Sequence, residues 1–140
     1  MKRILFILTM LLAVTAMQAK KISYIETTRS WHYVYDENSK KVHTISTSQG
    51  EIVAYSESFY VLKKGSWYYT CTPKGKKLYT FAESNVGKVL HATGDTFTSI
   101  KGNWVYTWDK NGKKLNTRPA NHSRQIKNYR LKRTSNNYFH

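Results

Sequence analysis

In three stretches of the chain an aromatic residue recurs at every second place: Trp31-His32-Tyr33-Val34-Tyr35, Trp67-Tyr68-Tyr69-Thr70-Cys71 (where Cys71 takes the third place) and Trp104-Val105-Tyr106-Thr107-Trp108. Alternation with a period of two predicts β-strands, each presenting one aromatic face. Nine residues after each Trp comes Lys-Lys, an aliphatic residue, any residue and Thr: Lys40 to Thr44, Lys76 to Thr80, and Lys113 to Thr117. The copies align without a gap, 36 and then 37 residues apart. Self-similarity at such a period predicts stacked supersecondary units, none of which buries its apolar face alone.

Between the two phrases lie Asp36-Glu37-Asn38-Ser39, Thr72-Pro73-Lys74-Gly75 and Asp109-Lys110-Asn111-Gly112. Asp first, Pro second and Gly fourth suit a type I turn that closes through a left-handed residue, so each unit is expected to contain a β-hairpin. Ser39 stands in the Gly place, which predicts strain there and a first hairpin less regular than the others. Counting out from the loop pairs Asp109 with Lys113, Trp108 with Lys114, Tyr106 with Asn116 and Trp104 with Arg118. On this register Trp104, Tyr106 and Trp108 share one face, and Val105, Thr107, Leu115 and Thr117 the other. Tyr79 and Phe81 would join Trp67, Tyr69 and Cys71, while His43 and Ile45 would join Trp31, Tyr33 and Tyr35. Lys41, Lys77 and Lys114 fall at the margin of the aromatic faces, where their stems can cover rings while the ammonium groups stay in water.

Seven residues before each Trp stands Tyr24, Tyr60 or Phe97, and Lys64-Gly65-Ser66, Lys101-Gly102-Asn103 and Thr28-Arg29-Ser30 read as tight hairpin links. Further upstream, Ile52–Tyr55 and Val89–Ala92 predict a fourth short strand, whose counterpart in the first unit would fall inside the N-terminal leader. The expected fold is all-β: three tandem antiparallel hairpin repeats (about 20–46, 51–82 and 88–118) forming a small repeat sheet, barrel or propeller-like assembly. The basic segment 119–140 has two readings. Part of it near Ile126 to Leu131 supplies the missing strand, or the whole is a disordered tail, in keeping with its Asn, Ser and charge content.

Residues 1–19 read as a secretory signal peptide, with Lys2 and Arg3 ahead of the apolar run Ile4 to Val14 and a small residue, Ala16 or Ala19, before the cut; cleavage after Ala19 is the reading adopted. The rival is an uncleaved N-terminal anchor. The run is short for a bilayer span, and nothing after residue 20 approaches the roughly 20 apolar residues a membrane helix requires. A secreted or periplasmic location follows as the expectation. Loss of Lys2 and Arg3 with the leader takes 23 basic residues to 21 against 8 acidic, a net charge of +13 with His neutral. That balance favours anionic partners such as lipopolysaccharide, acidic glycans or anionic lipid. Nucleic acid suits the same charges, but export disfavours it. Residues 119–140 hold Arg124, Lys127, Arg130, Lys132 and Arg133 with no acidic residue. Cys71, the lone cysteine, excludes an intrachain disulfide, and its place in the repeat predicts a small buried packing residue.

The residues Gly65-Ser66-Trp67-Tyr68-Tyr69 through Gly75-Lys76-Lys77, and Gly102-Asn103-Trp104 through Asp109-Lys110-Asn111-Gly112-Lys113, resemble the WG-type repeat of bacterial proteins, in which a Gly-x-Trp strand runs into an Asp-x-x-Gly-Lys turn. They are also similar to choline-binding or cell-wall-binding repeats, which carry Gly-x-Trp-Tyr-Tyr ahead of a Gly turn but are shorter. The likeness spans about residues 58–118, and 21–45 loosely. The WG pattern has Gly directly after Trp, where this chain has His32, Tyr68 or Val105. Choline binding, if carried over, would require aromatic cages between successive hairpins.

No catalytic constellation stands out. His32, His43, His91, His122 and His140 lack the spacing and the Cys partners of a zinc site, so no metal or other cofactor is expected. The acidic residues are scattered, and a small secreted hydrolase with carboxylates converging from afar is the least favoured alternative. The expected function is a noncatalytic binding module for a glycan or an anionic envelope component; the alternative is a protein-interaction or envelope-docking protein acting through the basic tail. The candidate ligand-binding residues are Tyr68, Trp67, Trp104, Trp108, Lys77 and Lys114. Large rings repeated once per unit are most often packing between units, so Trp31, Trp67 and Trp104 read first as core, and Tyr68, on the opposite face, as the better exposed contact.

Overall fold

The structure, a computed structural model, describes residues 20–120. The proposed leader, the basic cluster from Arg124 to Arg133 and the two readings of the segment near Ile126 to Leu131 lie outside the described residues. Eleven strands make three antiparallel sheets, and the fold is all-β. The first sheet runs in the order β1 (Ile22–Thr27), β2 (Trp31–Asp36), β3 (Lys41–Ser46). The second runs β4 (Glu51–Tyr55), β5 (Tyr60–Lys64), β6 (Trp67–Cys71), β7 (Lys77–Ala82), and the third β8 (Lys88–Thr93), β9 (Thr96–Lys101), β10 (Trp104–Asp109), β11 (Lys114–Pro119). Each sheet is a meander of consecutive hairpins. Among the described residues the first has three strands and the others four, the additional strands being β4 and β8. A 3-10 turn (Thr47–Gln49) leads from β3 into β4, and a single helical turn, α1 (Glu83–Val86), leads from β7 towards β8.

The loops after β2, β6 and β10 share one hydrogen-bond pattern. Asp36 N–H donates to Lys40 O, Thr72 N–H to Lys76 O and Asp109 N–H to Lys113 O, at 2.9, 2.8 and 2.7 Å. Ser39 takes the left-handed conformation at φ 59°, with the same closing bond as its glycine counterparts, so the first loop is strained without being irregular. Asp36 is fully buried, and its Oδ1 accepts the amides of Lys40 and Asn38, each at 2.9 Å. The Lys40 amide above all holds this carboxyl below the usual carboxylate range.

The register is a correction. Trp108 pairs with Lys114 as expected, but Thr107 then pairs with Asn116, Tyr106 with Thr117, Val105 with Arg118 and Trp104 with Pro119. A β-bulge intervenes, and it recurs at Val34/Tyr35 and Thr70/Cys71. One extra residue on the outer strand moves its side chains to the other face. Phe81 and Tyr79 therefore lie with Tyr68 and Thr70, and Ile45 and His43 with His32 and Val34, not with the Trp face.

That exchange builds the core, which lies between sheets. Val34 and Ile45 of the first sheet pack with Tyr60, Leu62 and Cys71 of the second. Tyr68 and Phe81 of the second pack with Phe97 and Trp108 of the third. Phe81 meets Phe97 and Trp108 edge-on, at centroid separations of 5.2 and 5.6 Å. The turn glycines complete both junctions: the His43 ring lies where a Cβ on Gly75 would be, and a Cβ on Gly112 (φ 106°) would come within 2.6 Å of the Tyr79 ring.

A polar latch accompanies each junction. His32 Nε2–H donates to Gly50 O at 2.9 Å, leaving Nδ1 to accept from the Thr27 hydroxyl. The Tyr68 hydroxyl donates to Gly87 O at 2.8 Å. Both acceptors are the residue that enters the next unit's innermost strand. Val105 holds this place in the third unit and has no donor.

Candidate ligand-binding surface

Trp31, Trp67 and Trp104 open β2, β6 and β10, and each is about half exposed, at 45, 49 and 48 %. This overturns their assignment as packing between units. Trp67 pairs with Lys64 and Trp104 with Lys101 across two-residue links, so these rings sit at the extreme ends of their sheets, beyond the cover of the neighbouring sheet. Tyr68 is corrected in the opposite sense: it is 2 % exposed and serves as the latch to Gly87. Trp108 is buried, stacked on Phe97 and donating its indole N–H to Ser99 Oγ at 2.9 Å, so it is a core residue.

The lysine pairs gain a role that the sequence showed only in part. Lys41 Nζ lies 4.1 Å from the centroid of Tyr33, Lys77 4.3 Å from Tyr69, and Lys114 4.3 Å from Tyr106 and 5.2 Å from Trp108. The ammonium group itself, not just the stem, covers the ring. Three repeat-equivalent cation–π pairs result, each of the kind worth about 0.5–1 kcal/mol at an exposed site. Lys77 also borders a cavity of about 310 Å³ at the first junction with Lys64, Tyr69, Leu62 and Gln49.

The second junction carries a larger groove, about 540 Å³, in which Trp67, Ser66 and Ser84 meet Lys88 and Lys101. Glu83 lines it too, but its carboxylate reaches Lys63 at 3.3 Å. Neither Lys88 nor Lys101 forms an ion pair among the described residues. The groove is thus lined by a half-exposed indole, two serines and two lysines that have no ion partner among the described residues. Of the candidate residues, Trp67 is the one that lines this groove; Lys77 lines the other cavity, and Trp104 and Lys114 lie on the third sheet. Lys88 and Lys101 were missed. The signal for Lys101 was available, since Lys64 and Lys101 hold the same place three residues before Trp.

Nothing in the described residues gathers three or more His, Cys, Asp or Glu side chains that could hold a metal ion. Burial pushes the Cys71 thiol up from its ordinary value, away from the reactive thiolate, and pushes His43 down. No described helix is long and apolar enough to cross a membrane. No protein-family model matches the chain, and no curated protein matches it.

Proposed function

We propose that this protein is an exported, noncatalytic binding module that takes an acidic saccharide in the groove at Trp67. The indole offers a flat apolar face to a sugar ring, Lys88 and Lys101 meet a carboxylate or sulfate, and Ser66 and Ser84 reach its hydroxyls. The observation that carries the reading is the pairing of a half-exposed Trp67 with two unpaired lysines in one groove. The finer architecture belongs to the same proposal. We infer that the three sheets sit around a common centre in a propeller-like way, a reading supported by the one cavity that β1, β4 and β8 line together.

The test is a titration of the protein with heparin oligosaccharides and with a neutral oligosaccharide, at low and high salt. The proposal expects acidic chains to bind, neutral ones to bind much more weakly, and a part of the affinity to survive high salt, since ring stacking is not screened. Replacing Lys88 and Lys101 by Ser should weaken binding by at least about tenfold, equivalent to about 1.4 kcal/mol. Binding that vanishes altogether with salt and ignores the Lys88/Lys101 change would instead assign it to the basic segment 119–140, the docking alternative.

A further inference from the structure

In the second and third sheets the two-residue link before the Trp strand lies at one end, and the loop after it lies at the other. At the link end a lysine stands directly across from each indole: Lys64 opposite Trp67, and Lys101 opposite Trp104. Directly opposed residues of an antiparallel pair send their side chains to one face of the sheet, with Cβ atoms about 5 Å apart. Lys101 also lines the groove that holds Trp67. Lys64, Trp67, Lys101 and Trp104 therefore follow one another as a series in which ammonium groups and indoles alternate, with Lys88 in the groove between the two rings.

The series continues past Lys64 into the cavity of the first junction. Along one face of the second sheet Lys64 stands opposite Trp67, Leu62 opposite Tyr69 and Lys77 opposite Cys71. The cavity is lined along this face by Lys64, the Tyr69 ring and Lys77, with buried Leu62 among them and Gln49 added from the 3-10 turn that precedes β4. Trp67 belongs to the same face by its register, yet it lines the groove of the second junction. One indole thus stands between two cavities, each with a pair of lysines. Lys64, Lys77, Lys88 and Lys101 form no ion pair among the described residues. Glu83 of the groove reaches Lys63, and Glu51 stands opposite the same lysine in the pairing of β4 with β5. The four ammonium groups of the series are left to an outside anion.

We infer that the ligand is an extended acidic polysaccharide, held along this series from the cavity at Lys64 and Lys77, over the Trp67 indole and through its groove, to Trp104. The inference rests on the reading of the Trp67 groove as an acidic-saccharide site, and it adds the length and the path of the bound chain. A single sugar unit can occupy one indole and the lysine pair beside it. Only a polymer that carries an acidic group in every repeat can meet lysine pairs on both sides of Trp67 and reach a second indole. Contacts made in succession by one chain reinforce each other through effective concentration, so each raises affinity without being strong alone. Lys40 and Lys76 are as exposed, but they belong to the loops at the opposite ends of their sheets and stand outside the series.

The test is calorimetric titration of the protein with a heparin tetrasaccharide and a heparin decasaccharide at one ionic strength. Beside the parent stand three double variants, Lys64→Ser/Lys77→Ser, Lys88→Ser/Lys101→Ser and, as a control of equal charge change, Lys40→Ser/Lys76→Ser. The parent is expected to bind the decasaccharide at least about tenfold more tightly than the tetrasaccharide. Lys64→Ser/Lys77→Ser should lose most of that gain while holding the tetrasaccharide within about twofold, and the control should keep both affinities within about twofold. Equal losses of decasaccharide affinity in Lys64→Ser/Lys77→Ser and in the control overturn the inference, since general attraction between opposite charges would then explain the gain with length. A gain with length that survives in Lys64→Ser/Lys77→Ser overturns it too. The Lys88→Ser/Lys101→Ser variant separates the two proposals: a loss of tetrasaccharide affinity there, with no gain from length in the parent, leaves the groove standing and removes the longer path. No loss there removes the groove itself.

Discussion

Trp31 and Trp67 hold the same place in successive units and are exposed to nearly the same degree, 45 and 49 %. At two equivalent places their surroundings differ by one exchange of sign. The residue after the entry glycine of the next unit is Glu51 at the first junction and Lys88 at the second. Lys64 and Lys101 occupy one further equivalent place, so the second junction offers two ammonium groups where the first offers one and a carboxylate. Beneath the surface the first junction is closed by Val34, Ile45, Leu62 and Tyr60, and the second by Phe81, Phe97, Tyr68 and Trp108. The repeat therefore fixes where an indole is presented, and a few non-repeated residues decide what it can bind.

The core half of that comparison breaks most visibly at Phe97. This ring is fully buried against Phe59, Phe81 and Trp108, and Phe97→Ala is expected to cost about 3–5 kcal/mol. Tyr24 holds the same place in the first unit, stacked at 4.6 Å on Tyr35 but 38 % exposed, so Tyr24→Ala should cost about 1 kcal/mol. Equilibrium urea unfolding of both variants measures the gap, and equal losses would contradict burial by the neighbouring unit as its cause.

Smaller effects sharpen the same contrast. Gly112→Ala must place a Cβ against the Tyr79 ring at positive φ and is expected to lose about 2 kcal/mol, whereas Ser39→Gly relieves strain and gains about 0.5 kcal/mol. Opposite signs in thermal unfolding are the signature. Removal of the latch hydroxyl in Tyr68→Phe leaves Gly87 O without that donor and should cost about 1–2 kcal/mol, with no loss of saccharide affinity.

Two depressed carboxyls, one in the first unit and one in the third, predict a response to acid. The carboxyl of Asp36 is depressed mainly by the Lys40 amide, and that of Asp95 mainly by the Ser58 hydroxyl and then by Lys110. A folded-state pKa below the unfolded value contributes stability above the unfolded value, which fades as pH falls through the folded one. Unfolding midpoints followed downward from about pH 4, near the unfolded Asp value, should fall more steeply in the parent than in Asp36→Asn.

Strand alternation and turn chemistry made most of the fold legible: the hairpins, their loops and the fourth strand of the later units. The bulge after each loop was not, because Leu78 and Leu115 carry nothing in their identity that marks an extra residue, and one such residue reversed the faces of the outer strands. The candidate site suffered from the same cause. With Phe81 on the wrong face, Tyr68 looked solvent-facing, and the Trp rings looked buried because their position at the strand ends cannot be read from periodicity. Cys71 was placed correctly as buried since its inner strand precedes the bulge.

The most direct test of the binding proposal is calorimetric titration of heparin oligosaccharide into the parent, Trp67→Ala and Trp31→Ala at one ionic strength. The account predicts that Trp67→Ala loses at least about tenfold in affinity while Trp31→Ala stays within about twofold, a difference of about 1 kcal/mol or more. Equal losses, or none in either variant, would contradict a site at the second junction.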